Sequence, residues 1–277
     1  MSEWKGKYAL VTGASYGIGE AFARKLASEG THLILTARSI ERLQSLAYQL
    51  QTDYGVNVTV VEADLAQPAA PEQLFNETER RGLQVDLLIN NAGFGAVGDF
   101  ADLPLARQLE MVQVNVSALT ALTHLYLQPM IERRRGAIIQ VASTAAFQGI
   151  PYMALYAATK AFVLSLSEGL WGECREYGVR VVALCPGPTK THFQEVAGTA
   201  HRRNPQKMQT PEEVVEAGLK ALTRGRGVTI SGFDNRLMVV AERLAPRSLV
   251  TNAAAKLFRP FSTRARAASS PPPKSSD

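Results

Sequence analysis

The sequence predicts a single doubly wound α/β domain, a seven-stranded parallel sheet with helices on both faces. Three observations predict it. Short β-branched runs alternate with long amphipathic stretches, the order produced by strand–helix–strand units. The strand-like runs are almost continuously apolar, as strands covered on both faces must be. A glycine follows each main helical stretch, where a chain leaving a helix favours a left-handed residue.

The elements read in order as follows. Tyr8–Val11 is a strand, followed by helix Gly17–Glu29 and Gly30. Leu33–Thr36 leads to helix Ile40–Tyr54 and Gly55, and Val56–Val61 to helix Pro71–Arg81 and Gly82. Val85–Ile89 precedes one long helical pattern, Leu105–Arg134, closed by Gly136. Ala137–Val141 leads to Tyr152–Tyr177 and Gly178; Val179–Leu184 leads to Pro211–Arg224 and Gly225; Val228–Ile230 completes the sheet. Residues 1–232 are expected to form this domain and 233–266 an amphipathic helical extension. Residues 267–277 are low-complexity, rich in Ser and Pro, and expected to be disordered.

Composition narrows the function classes. With 277 residues, 46% of them hydrophobic, the chain can bury one large core. No run of about 18 apolar residues is present, which argues against a spanning helix. Met1–Lys7 lacks the apolar core of a secretion signal, and Cys174 and Cys185 read as reduced core residues rather than a bridge. A cytoplasmic location is expected, with no metal site, because no His/Cys cluster has ligand spacing. The net charge of +5 lies in residues 247–277, which hold six cations and one acid, so residues 1–246 are neutral. Nothing there points to nucleic acid. Residues 236–261 interleave apolar residues with Arg and Lys. That pattern suits weak contact with a membrane surface, a lid over substrate, or packing on the protein itself or on a second subunit.

The first strand ends in Thr12-Gly13-Ala14-Ser15-Tyr16-Gly17-Ile18-Gly19. Three glycines at this spacing permit a tight turn, bring backbone N–H groups near a pyrophosphate, and let the next helix approach the sheet. The helix N-terminus then faces the anion. The second strand ends in Ala37-Arg38, where an NAD-selective site usually offers a carboxylate to the ribose diol. An arginine there suits a ribose phosphate instead, so NADP(H) is the expected cofactor. Asp64-Leu65, after the third strand, fits either the adenine edge or a helix N-cap.

Tyr156 and Lys160 lie four residues apart, one turn along a helical face, and Ser143 lies thirteen residues before the tyrosine. An ammonium beside a phenol favours the phenolate and pulls its pKa down from about 10. Tyr156 is thereby the candidate general acid/base for a carbonyl or alcohol oxygen. Ser143, just past an apolar strand, would donate to a developing alkoxide, or simply cap a turn. Asn115 interrupts a helical pattern. Phe94, Val97, Phe147, Ile150, Tyr152 and Met153 would flank an apolar substrate pocket. Pro188–Gln209, with His192, Phe193, Gly198, His201, Arg202 and Arg203, reads as a mobile lid or a plain connecting loop. A serine hydrolase and a phosphoryl-transfer enzyme are unsupported, for want of a triad spacing and of a phosphate-binding Gly-Lys-Ser/Thr loop.

Together these segments, with Asn90-Asn91-Ala92-Gly93 and Pro186-Gly187-Pro188-Thr189-Lys190-Thr191, resemble the short-chain dehydrogenase/reductase family over residues 5–232, in its NADP-preferring form. The resemblance implies a Rossmann-like domain, a nicotinamide cofactor and a homodimer or homotetramer. It implies that Asn90, Asn91, Ala92 and Gly93 follow the adenosine half, and that Pro186, Gly187, Thr189 and Thr191 line the nicotinamide. It implies that Asn115 opens its helix to a water linked to Lys160. The expected function is NADP(H)-dependent interconversion of a hydrophobic ketone or aldehyde and an alcohol. The alternatives are a catalytically idle NADP(H) sensor and a membrane-peripheral lipid or ketoacyl reductase.

Overall fold

The computed structural model describes residues 3–191, 193, 197 and 208–259. His192, Gly198, His201, Arg202 and Arg203 of the expected lid lie outside the described residues, as do residues 260–277.

Seven strands form one sheet: β1 (Tyr8–Thr12), β2 (His32–Ala37), β3 (Val58–Glu62), β4 (Val85–Asn90), β5 (Gly136–Val141), β6 (Val179–Cys185) and β7 (Val228–Ile230). Their order is β3-β2-β1-β4-β5-β6-β7, and every pair is parallel. This is the Rossmann-like arrangement. The chain winds outward from β1 to β3, then returns to place β4 on the other side of β1. The connections after β1 and β4 therefore diverge, leaving a crevice at the carboxyl edge.

The helices are α1 (Gly17–Ser28), α2 (Ile40–Tyr54), α3 (Ala70–Arg80), α4 (Leu105–Val112), α5 (Leu119–Glu132), α6 (Ala154–Cys174), α7 (Pro211–Thr223), α8 (Phe233–Leu244) and α9 (Arg247–Phe258). Strand side chains alternate between two apolar layers, as a period of two requires. Ala9, Val11, Leu33 and Leu35 face α1, α2 and α7 through Phe22, Leu26, Leu43, Leu50 and Val214. Leu10, Ile34, Leu88 and Ile138 face α3 and α5 through Leu74, Leu122, Tyr126 and Met130. Strands β4 and β5 are buried throughout, so they anchor the residues at their carboxyl ends.

Four expectations need correction. The long helix over 105–134 is broken by a π-helical turn at Gln113–Ala118, because the Asn115 side chain leaves its helix to bond another segment. Tyr152 is not helical; its φ of 66° is left-handed, and α6 begins at Ala154. Gly136 does not end α5. Arg134 takes the left-handed conformation there, with φ 49°, while Gly136 opens β5 because a β-carbon would run into the Met130 side chain. The third strand begins at Val58, not Val56, whose side chain is buried before pairing starts.

Candidate active site

A single cavity of about 1240 Å³ follows the carboxyl edge of the sheet. Its walls include Gly13, Ser15, Tyr16, Gly17, Ile18, Arg38, Asp64, Leu65, Asn91, Ala92, Gly93, Ser143, Tyr156, Lys160, Pro186, Gly187, Thr189 and Thr191. Gly19, Asn115 and Asn90, which the sequence also singles out, stand behind the wall rather than in it.

The glycine turn is as tight as its spacing demands. Gly13 and Gly17 have φ of 63° and 58°, conformations that a side chain would strain. A β-carbon on Gly17 would lie 2.9 Å from Thr191 Cγ2, and one on Gly19 would meet the Gly13 carbonyl and lie 2.6 Å from Asn91 Nδ2. Asn91 braces this turn. Its amide donates to the carbonyls of Thr12 at 2.9 Å and Gly13 at 3.1 Å. The Thr12 hydroxyl accepts the N–H groups of Asn91 and Ala92 at 3.0 and 2.9 Å. No side chain caps the N-terminus of α1, and its first residues, Gly17 and Ile18, line the cavity, where the helix dipole suits an anion.

The adenosine end departs in part from expectation. Asn90 is buried within the sheet and donates to Thr123 Oγ1 at 3.1 Å, so it does not follow the adenosine half. Asp64 is not a helix N-cap, since α3 begins at Ala70; its carboxylate accepts the Ala66 N–H at 3.2 Å and shapes the turn. Leu65 contributes both to the cavity wall and to the core. The Arg38 side chain is 66% exposed, 3.7 Å from Glu110 at the cavity rim. Beside it α2 starts at Ile40 with no side-chain cap on its N-terminus. A guanidinium and a helix N-terminus converge there on one rim.

At the other end, Ser143 follows β5, and the turn-capping reading of it is seen directly. Its Oγ accepts the Ala145 N–H at 3.1 Å, capping the 3-10 turn Thr144–Phe147, and its hydroxyl lines the same cavity as Tyr156, where it favours the ionised phenol. Lys160, one turn along α6 on the tyrosine's face, donates from Nζ to the Val141 carbonyl at 2.8 Å. Its Nζ lies 5.9 Å from the Tyr156 ring centre. Asn115 spans the gap behind them. Its Oδ1 accepts the Phe94 N–H at 3.1 Å, and its Nδ2 donates to the Phe94 carbonyl at 2.9 Å and to Thr159 Oγ1 at 3.0 Å. A β-carbon on Gly93 would lie 3.0 Å from Asn115 Oδ1 and 3.3 Å from Lys160 Nζ, so the glycine lets these two side chains share one corner.

The electrostatics reverse one expectation. Burial pushes the Tyr156 phenol up to about 12, and the Ser143 hydroxyl opposes it only in part. The expected net lowering is therefore not what this arrangement gives: desolvation dominates, and Lys160 is not among the groups that shift the phenol. Burial also lowers Lys160 to about 8, opposed by Cys185. The cluster holds a protonated phenol at neutral pH, with a cation behind it close to losing its proton.

Sequence reasoning foresaw Phe94, Ile150 and Met153 in the wall; Val97, Phe147 and Tyr152 are absent from it. Phe147 lies under Arg243, and the Tyr152 hydroxyl accepts from Arg259. Gln148 and Glu242 join the wall unforeseen, together with Met208 from the expected lid and Met238, Leu249 and Phe258 from the 236–261 stretch, for which a lid over substrate is one of the readings. Four of these lie on α8 and α9, whose amphipathic pattern was visible but whose inward face was not. Among the described residues no group of His, Cys, Asp and Glu could hold a metal ion, and no helix is long and apolar enough to cross a membrane.

A model of the short chain dehydrogenase family matches residues 7–201. The chain is 32% identical over 239 residues to a 7beta-hydroxysteroid dehydrogenase of Collinsella aerofaciens, covering 85% of this chain and 90% of that one. It is 32% identical over 231 residues to a very-long-chain 3-oxoacyl-CoA reductase of Anas platyrhynchos, covering 79% and 72%. Its fold superposes with a TM-score of 0.78 on a short-chain dehydrogenase from Sphingobium yanoikuyae in complex with NADPH, at 32% identity over 93% of this chain and 98% of the other. The chain belongs to the short-chain dehydrogenase/reductase family, whose members are oxidoreductases.

Proposed function

We propose that the protein is an NADP(H)-dependent oxidoreductase that interconverts a hydrophobic ketone or aldehyde and the corresponding alcohol. The observation that carries this reading is the meeting of Ser143, Tyr156 and Lys160 in the wall of a chamber continuous with the glycine cradle. When bound, the dinucleotide supplies or takes the hydride. Gly13, Gly17 and the N-terminus of α1 would hold its pyrophosphate, Arg38 its ribose phosphate, and Thr189 and Thr191 its nicotinamide end. Tyr156, protonated at neutral pH, gives its proton to the carbonyl oxygen during reduction, and Ser143 steadies that oxygen by a second hydrogen bond. Lys160 remains behind the phenol as the cation that favours its ionised form after transfer. Two relatives that act, by name, on a hydroxysteroid and a very-long-chain 3-oxoacyl-CoA support a large apolar substrate.

The test is turnover of a ketone panel with NADPH and NADH side by side, for wild type and Tyr156→Phe. Reduction with NADPH that Tyr156→Phe abolishes is expected. NADPH binding without turnover of any carbonyl would favour the idle-sensor alternative.

A second reading, peripheral contact with an anionic membrane, is favoured by one feature. Phe233, Leu237, Val240 and Leu244 are exposed on one face of α8, at spacings of four, three and four residues. Residues 233–277 hold eight cations against three acids, which accounts for the whole +5 of the chain. Co-sedimentation with anionic vesicles, reduced by Phe233→Ser with Leu244→Ser, is the expected result. Equal sedimentation of both forms would remove this reading.

A further inference from the structure

The chamber beyond Ser143 and Tyr156 is walled by Ile150, Met153, Phe193, Met238, Leu257 and Phe258. One charged side chain interrupts this apolar wall. Glu242 lies on α8, four residues after Met238 and so on the same helical face. Its Oε1 accepts from Gln148 Nε2 at 2.7 Å, and Gln148 lines the same chamber. Its Oε2 is buried and has no hydrogen-bond partner among the described residues. Burial raises the carboxyl's pKa, and the one contact opposing this is Gln148, with no cation contributing.

A carboxylate so placed weakens the fold. A buried acceptor left unmatched keeps its desolvation penalty, whereas a leucine there would extend the apolar face begun by Met238. What the carboxylate offers instead is recognition. Rotation about the terminal torsion, which is broad in glutamate, exchanges the two oxygens, and Gln148 can hold only one at a time. The other remains an acceptor for a donor arriving from the chamber.

We propose that Glu242, oriented by Gln148, is a specificity residue that accepts a hydrogen bond from a hydroxyl remote from the reacting carbonyl of an otherwise apolar ketone, and that repels ketones carrying a carboxylate at that end. This rests on the oxidoreductase reading and names the substrate class for the same chamber. The discrimination is asymmetric. An acceptor built to meet a hydroxyl is left unmatched by the plain hydrocarbon, and a second carboxylate adds like-charge repulsion.

The test uses the full chain saturated with NADPH and three ketones on one fused-ring apolar skeleton: unsubstituted, with a remote hydroxyl, and with a remote carboxylate. Ratios of kcat/KM within each enzyme cancel any general loss of activity. Wild type is expected to prefer the hydroxyl compound over the unsubstituted one by about tenfold or more, and to take the carboxylate worst. Glu242→Gln, nearly isosteric, should raise the carboxylate ratio by about tenfold or more while keeping part of the hydroxyl preference, the change falling in KM. Glu242→Leu should abolish the hydroxyl preference, and Gln148→Leu should weaken it. Ratios unchanged across wild type and Glu242→Gln would overturn the proposal, whether or not the leucine variants fold. If wild type turns over none of the three, the oxidoreductase reading fails separately. Equilibrium dialysis of the same compounds then decides the role of Glu242, and equal affinities in wild type and Glu242→Gln would overturn it.

Discussion

Asn115 bonds both polar groups of the Phe94 backbone, accepting its N–H at 3.1 Å and donating to its carbonyl at 2.9 Å. The side chain thereby does for Phe94 what a neighbouring strand would do. Asn115 is fully buried, and the π-helical turn around it releases the side chain from its own helix. Asn115→Leu strands both Phe94 groups without partners. A loss of about 2–4 kcal/mol in urea unfolding is expected, since each unmatched buried group costs about 1–3 kcal/mol. A loss below about 1 kcal/mol would mean that Phe94 finds other partners.

Lys160 predicts a conflict between stability and activity. Its folded pKa of about 8 lies below the ordinary 10.5, so burial disfavours the cation. Below pH 8 folded and unfolded chains both carry the proton, and the penalty is fully present. As pH rises from about 8 toward 10.5 the folded chain releases its proton first, and the penalty is relieved. Lys160→Met has no such term. The stability of the cofactor-free wild type should therefore gain on that of Lys160→Met by about 2 kcal/mol between pH 7 and pH 9.5. Denaturant titrations at the two pH values measure it, and a constant gap would refute the burial argument. Activity should collapse in the variant at either pH.

Gly19→Ala tests the cradle. The residue is helical, so no backbone strain is introduced; only the new methyl matters. It would meet the Gly13 carbonyl and the Asn91 amide, which itself fastens the turn to β4. Loss of NADPH binding by about tenfold or more is expected in a fluorescence titration, with a smaller loss of stability. Wild-type affinity in the variant would show that the turn can open without consequence.

What sequence could and could not convey follows from distance along the chain. The glycine turn and the Tyr156–Lys160 pair are local patterns, and their geometry follows from the spacing alone. The direction of the tyrosine's pKa does not. It depends on burial beneath segments far away in sequence, and a nearby lysine suggests the opposite sign. Asn90 and Asn91 are adjacent, yet the strand pleat sends the first into the sheet and lets the second reach the glycine turn. Resemblance alone groups them. The π-helical turn at Asn115 leaves the apolar periodicity nearly intact, so the pattern reads as one long helix. Gln148 and Glu242 meet across 94 residues, a pairing that no local signal carries.

Arg38 predicts the cofactor preference. Its guanidinium stands at the cavity rim, 66% exposed, with Glu110 at 3.7 Å as a loose partner that a phosphate would displace. The nearby Arg42 is stacked on the Tyr16 ring at 3.8 Å, which leaves Arg38 the better placed of the two. The uncapped N-terminus of α2 adds a second attraction for an anion on the same rim. Arg38→Asp removes the fork and sets a carboxylate where a ribose phosphate would lie, while leaving an acceptor suited to a free ribose diol. The KM for NADPH should rise about ten- to hundredfold, as expected for loss of a charge-assisted hydrogen bond, and that for NADH should stay level or fall. Initial rates with the two cofactors and one ketone measure the ratio. An unchanged ratio would mean that the phosphate is read elsewhere, and Arg38 would then be a solvated residue at the end of β2.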